Sequence, residues 1–196
     1  LTIPHKITKI ESLVFSGCGF DNQLILPKNL LEIHDNAFDG CKFKGELVLP
    51  ESLLIIGSEA FEHTTFSGEL KLPLGLLSIG ERAFNNCPRL TGSIEIPPEI
   101  SVLAESVLSG TSIEDIILSK NIESIQYGAF ANCYQLNSII SKAVVPPMLD
   151  ASAFIGVAKD NFTTEVPEAS IQKYQFASGG REFKRLAAHR EFSISR

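Results

Sequence analysis

Glu46 and Glu69 are the two residues of this chain whose types and spacing come nearest to a reaction site. They lie 23 residues apart, an interval that recurs along the chain. On neighbouring parallel strands, side chains so related stand about 4.8 Å apart. Two carboxylates at that separation have the look of the acid and base of a hydrolase. Such chemistry needs an enclosed, dry pocket, and like charges on an open, solvated sheet face are commonly just tolerated. No catalytic residue is therefore assigned. Cys18, Cys41, Cys87 and Cys133 occupy one position of the same interval, and Thr64 and Thr111 fill it elsewhere. That exchange is the behaviour of a small buried side chain, so free thiols stacked in the interior are expected. A Cys18–Cys41 disulfide is the alternative, although side chains stacked in one direction suit that bond poorly. His5, His34, His63 and His189 share no position in the repeat, whereas metal ligands must converge. Neither a metal nor a cofactor is expected, and no nucleophile or phosphate-loop motif is present.

The elements that must position these residues are repeats. Strand-like heads begin at Leu1, Leu24, Leu47, Leu70, Ile94, Ile116 and Ile139, with successive spacings of 23, 23, 23, 24, 22 and 23 residues. Five heads end in proline (Pro4, Pro27, Pro50, Pro73 and Pro97), and Ser119 stands in the sixth place. Next come two apolar positions, of which Leu30 and Ile33, Leu53 and Ile56, and Leu76 and Ile79 are examples. An Ala-Phe pair follows at Ala37-Phe38, Ala60-Phe61, Ala83-Phe84 and Ala129-Phe130, then the Cys/Thr position and a closing apolar residue such as Phe43 or Phe66.

Alternating apolar residues at each head read as a strand, and proline ends the pairing by removing an N–H. The stretch from the Ile position to Cys has helix-like apolar spacing but is too short for more than a turn or two of helix. One unit cannot bury its own apolar side, so the units must stack in register. The expected fold is an α/β repeat: a leucine-rich repeat solenoid with a parallel β-sheet of about 23-residue units, short helical turns on the other side and a C-terminal cap. Residues 1–160 form the solenoid, of six to seven units, and residues 161–196 the cap.

Composition narrows the partners. With 17 basic against 23 acidic residues and a net charge of -6, the chain lacks the basic stripe that nucleic-acid binding needs. No apolar run reaches the ~20 residues of a membrane span, and no signal peptide opens the chain.

The units Leu24-Ile25-Leu26-Pro27, Leu30, Ile33, Ala37-Phe38 and Cys41, with the Ile-Gly steps Ile56-Gly57 and Ile79-Gly80, resemble the leucine-rich repeats of the BspA-like bacterial surface proteins. The likeness runs over about residues 1–160, and Val145-Pro146-Pro147, Ala153-Phe154 and the stretch from Phe162 to Pro167 look like that family's ending. It implies a cell-surface or extracellular protein with a role in adhesion, its partner a host extracellular-matrix protein or a bacterial surface protein. Leu1 opens directly on a strand, which is expected of a fragment or a mature form whose signal or anchor has been removed. After Pro167 a helix is expected over 168–177, stopped by Ser178-Gly179-Gly180, with a final piece around Phe183. Asn161-Phe162-Thr163 matches a glycosylation sequon, a tripeptide common by chance.

Strand alternation turns Leu47 and Leu49 inward and leaves two outward columns. The first is Gln23, Glu46, Glu69, Ser93 and Asp115; the second is Thr2, Ile25, Val48, Lys71, Glu95 and Ile117. Apolar side chains on an outward column favour docking of another protein. Glu46, Val48, Glu69, Lys71, Glu95 and Asp115 are the binding candidates, in a non-enzymatic module. A surface scaffold without a specific ligand is the alternative, and a carboxylate-dependent hydrolase the third.

Overall fold

A computed structural model describes residues 1–158, 162–177 and 186–189. The chain winds into a parallel β-solenoid of about seven coils, whose strands fall into two series of parallel ladders. In chain order the strands are β1 Lys9–Ile10, β2 Glu32–Ile33, β3 Ile55–Ile56, β4 Gly68–Glu69, β5 Ser78–Ile79, β6 Leu90–Glu95 and β7 Val102–Leu103. They continue as β8 Ser112–Leu118, β9 Ser124–Ile125, β10 Ser138–Ser141, β11 Met148–Leu149, β12 Thr163–Pro167 and β13 Leu186–His189. The later repeat heads fall in the ladder β4-β6-β8-β10-β12-β13, and in the first two heads Thr2 bridges Ile25; the expected strand at the Leu47 head is extended chain without ladder pairing. The two-residue strands at the Ile position form a second ladder in two parts, β1-β2-β3-β5 and β7-β9-β11.

The inward columns are those that alternation selects. Leu24, Leu47, Leu70, Ile94, Ile116 and Ile139 are buried, as are Leu30, Leu53 and Leu76 behind the prolines. The Ala-Phe rings stack along the axis, with centroids 5.3 Å apart for Phe15 and Phe38, and 5.4 Å for both Phe38–Phe61 and Phe61–Phe84. A second stack runs through Phe20, Phe43 and Phe66 and meets the first edge to face. Each ring pair adds about 1 kcal/mol beyond the area it buries. Buried Leu108 interrupts the first stack, which resumes at Phe130 and Phe154, 5.3 Å apart.

Between the second ladder and the Cys position, the expected helical turns are realised as tight turns closed by three-residue hydrogen bonds. Ala37 N–H donates to His34 C=O, Asp39 to Asn36 and Cys41 to Phe38. The N–H groups between these donate to the next coil: Asn36 to Ser58, Phe38 to Ala60 and Gly40 to Glu62. The same alternation recurs at Glu59, Phe61 and His63, and at Arg82, Phe84 and Asn86. A continuous helix is ruled out because two residues of each of these segments, four apart, are left-handed, among them Asn36 (φ 56), Glu59 (φ 57) and His63 (φ 56). Glycine holds this conformation at no steric cost in Gly17, Gly40 and Gly110.

After β12, whose Pro167 ends the ladder pairing with β13, a 3₁₀ turn over Glu168–Ser170 leads into α1, Ile171–Phe176, the one α-helix among the described residues. No described helix is long and apolar enough to cross a membrane. The Tyr174 ring is fully buried, and its hydroxyl meets Ser141 Oγ at 2.7 Å and donates to Ala143 C=O at 3.1 Å. Ser178-Gly179-Gly180, Phe183 and Asn161 of the sequon lie outside the described residues.

All four cysteines are free. Cys41, Cys87 and Cys133 are buried, and each thiol donates across to the preceding coil, to the carbonyls of Phe15, Phe61 and Leu108. Thr64 and Thr111 serve the same carbonyls, Phe61 and Leu108, from within their own coil, which is why threonine and cysteine exchange here. Burial pushes the thiols of Cys41 and Cys87 up to about 11. Cys18, on the first coil, is half-buried. In native protein without denaturant, a thiol reagent is expected to label Cys18 and spare the other three; labelling of all four would contradict the buried column. A thiol whose folded pKa is raised stabilises fully below its unfolded value and loses that contribution as pH climbs through the folded one. Denaturation midpoints should therefore fall between about pH 9 and 11, and Cys87→Thr should make that fall shallower.

Candidate binding face on the head ladder

The outward face is built by side chains that the backbone alternation cannot bury. Val48 is 63% exposed between buried Leu47 and Leu49, and Ile25 is 51% exposed one coil away. Around Val48 lies a hollow of about 230 Å³, edged by Glu46, Glu51, Glu69 and Lys71 and floored by Leu47 and Leu49. Lys71 Nζ sits 3.0 Å from Glu69 Oε2, and the hydrogen bond to that carboxylate holds the ammonium above its ordinary range. The carboxylate stems need room on the following coil. A Cβ on Gly68 (φ +90) would stand 3.0 Å from Glu46 Cγ, and one on Gly92 (φ +80) 2.8 Å from Glu69 Cγ. Glycine there serves both the left-handed backbone and the side chain lying across it.

Of the six candidates, Glu46, Val48, Glu69 and Lys71 come together at this hollow; Glu95 and Asp115 do not line it. Glu95 accepts from Lys142 Nζ at 2.7 Å, and Asp115 accepts from the hydroxyls of Ser93 (3.0 Å) and Ser138 (2.6 Å). One expected column is corrected. Glu69 is the register partner of Thr91 in place of Ser93, and a further shift between Gly92 and Ser93 leaves Glu114 without a partner in the pairing with β8. The extra residue in that pairing is Glu114 on β8, opposite the Gly92–Ser93 step, and beyond it Ser93 faces Asp115 and buried Ile94 faces buried Ile116.

A second hollow, of about 850 Å³, lies on another side of the solenoid, where Pro98, Lys120 and Asn121 face Val144, Val145 and Met148. Sequence reasoning passed over it, although Val144 to Pro147 depart from the period and Val145 and Met148 are 69% and 74% exposed. Asp39, Glu62 and His63 also draw their donor atoms together, a grouping that a search for converging histidines does not find.

Comparison with known proteins agrees with the repeat pattern. The family model described as the BspA type leucine rich repeat region matches in six copies, over residues 1–106 and 55–179. The chain belongs to the BspA-type leucine-rich repeat family. Solved structures similar to this BspA-type chain include a leucine-rich repeat protein from Bacteroides ovatus (20% identity, TM-score 0.46). Another is a leucine rich cell surface protein from Faecalibacterium prausnitzii (22% identity, TM-score 0.40). The alignments cover 96% and 98% of this chain but 60% of each of those chains. No curated protein matches.

Gly92→Ala should lower stability by about 1–2 kcal/mol, from the left-handed backbone and the crowded Glu69 stem. Ala at Gly75, where an added Cβ meets nothing within 4 Å and φ is ordinary, should cost much less. Equal thermal midpoints for the two variants would reject the packing role of Gly92.

Proposed function

We propose that this BspA-type repeat protein is a non-enzymatic binding module of a cell-surface or secreted protein, and that the outward face of the head ladder takes a protein partner. The observation that carries this reading is Val48, 63% exposed in a hollow edged by carboxylates and one ammonium. An apolar centre rimmed by charge is the anatomy of a protein-docking surface. Its side chains stand on backbone already fixed by neighbouring coils, so little ordering entropy opposes association. Glu95 and Asp115 extend the footprint along the ladder. The surface location draws support from the family. Adhesion to host extracellular-matrix proteins or to other bacterial surface proteins is the activity proposed, and residues 161–196 are proposed as the cap that shields the last coil.

Binding to immobilised matrix proteins and bacterial surface proteins should be compared between the natural chain and a Glu46→Lys/Glu69→Lys/Lys71→Glu variant. All three residues are exposed, so the fold should survive the change. At least tenfold weaker binding is expected of the variant. Undiminished binding would remove this face, and loss on Val145→Glu/Met148→Glu instead would place the contact at the larger hollow.

A further inference from the structure

Asp39 and Glu62 follow the stacked Phe38 and Phe61 on consecutive coils, so the solenoid sets one above the other, with Asn85 next in the column. Among the described carboxylates Glu62 is unusual, because only 8% of it is exposed. Its Oε1 accepts from Asn85 Nδ2 at 2.5 Å. The other oxygen, Oε2, has no hydrogen-bond donor among the described residues and lies 4.0 Å from His63 Nδ1. His63 Nδ1 lies 3.3 Å from Asp39 Oδ1, and all three donor atoms fall within 4.8 Å of one another. Among the described residues, no lysine or arginine lies within ion-pair distance of Asp39 or Glu62; Arg82, paired with Glu59 and Glu105, acts on Glu62 only from further away. A carboxylate withdrawn from water normally has a cation or a metal as partner.

We propose that Asp39, Glu62 and His63 bind one divalent first-row transition ion, of which Zn²⁺ is the test case. Bonds of about 2.0–2.1 Å put neighbouring ligands of a tetrahedral ion roughly 3.3 Å apart. The Asp39–His63 edge already has that length, and the Glu62 edge reaches it by a small movement of exposed His63. One imidazole with two carboxylates favours an ion of this class over Ca²⁺, which takes six to eight oxygens. Supporting contacts are in place on both sides. Asn85 holds Oε1 and leaves Oε2 to ligate, while Asn86 lies 3.4 Å from His63 Nε2, where its amide oxygen, once turned inward, accepts the ring proton that metallation at Nδ1 leaves on Nε2. Water completes the shell on the open side, since His63 is 55% exposed.

The test is titration of the full chain carrying Cys18→Ser with ZnCl₂ by calorimetry, with CoCl₂ for the spectrum. Cys18→Ser removes the one thiol that is not buried. One equivalent of Zn²⁺ should bind, raise the thermal midpoint and shift the ¹⁵N resonance of His63 Nδ1. Glu62→Gln, which keeps an acceptor for Asn85, and His63→Asn, a residue that already holds the same left-handed position at Asn86 and Asn132, should each weaken binding more than tenfold without unfolding the chain. Binding below half an equivalent, equal binding by both variants, or a thiolate charge-transfer band with Co²⁺ would each overturn the site.

Discussion

Everything in this molecule depends on the backbone hydrogen bonds that pass from one coil to the next. In the turn segments every second N–H bonds within its coil and the others reach forward, so each coil is closed and tied by a single alternating pattern. That alternation demands left-handed residues at fixed places, and the residues chosen there set where each coil meets its neighbour. Phenylalanine rings stack near 5.4 Å because the backbone brings equivalent residues into line, and the thiols find the carbonyl of the coil before for the same reason. The side-chain core adds energy; the backbone supplies the register in which that energy is collected.

Much of this was legible from residue types. The inward Leu, Ile, Ala-Phe and Cys columns and the outward placing of Ile25 and Val48 could be read from period and alternation. The turn segment was harder, because apolar spacing alone fits a short helix as well as a chain of tight turns. The telling signal was Gly17, Gly40, His63, Asn86, Gly110 and Asn132, a column of residues that tolerate a left-handed backbone directly before each Cys or Thr. The Glu69–Thr91 pairing was hidden for another reason: the count from head to head stays near 23 while residues gained in one stretch are offset in another, and only pairing shows where the surplus is looped out. Asp39, Glu62 and His63 escaped notice because they come from two adjacent columns on two coils, so that no single column contains them.

The proposed binding face follows from the same geometry. A solenoid gives each exposed residue a neighbour of the same column about 4.8 Å away, so an outward position is a line and not a point. On the head ladder that line changes character along its length. It carries exposed Ile25 and Val48 in the early coils and hydrogen-bonded Asp115 and ion-paired Glu95 later. A partner laid along it would meet apolar contact at one end and fixed polar groups at the other, which gives the interaction a direction.

The forward hydrogen bonds also bear on how such a gene can change. The donors that one coil sends onward are the donors its successor sends in turn, so the top of one coil and the top of the next present the same pattern. Recombination that removes or adds one whole repeat in phase would rejoin matching surfaces and leave no seam, whereas a change out of phase would have to be absorbed in a loop, a tolerance of which the 24- and 22-residue intervals use a single residue. Length is thus a quantity that can drift by whole coils, while the outward residues on each coil remain free to diverge.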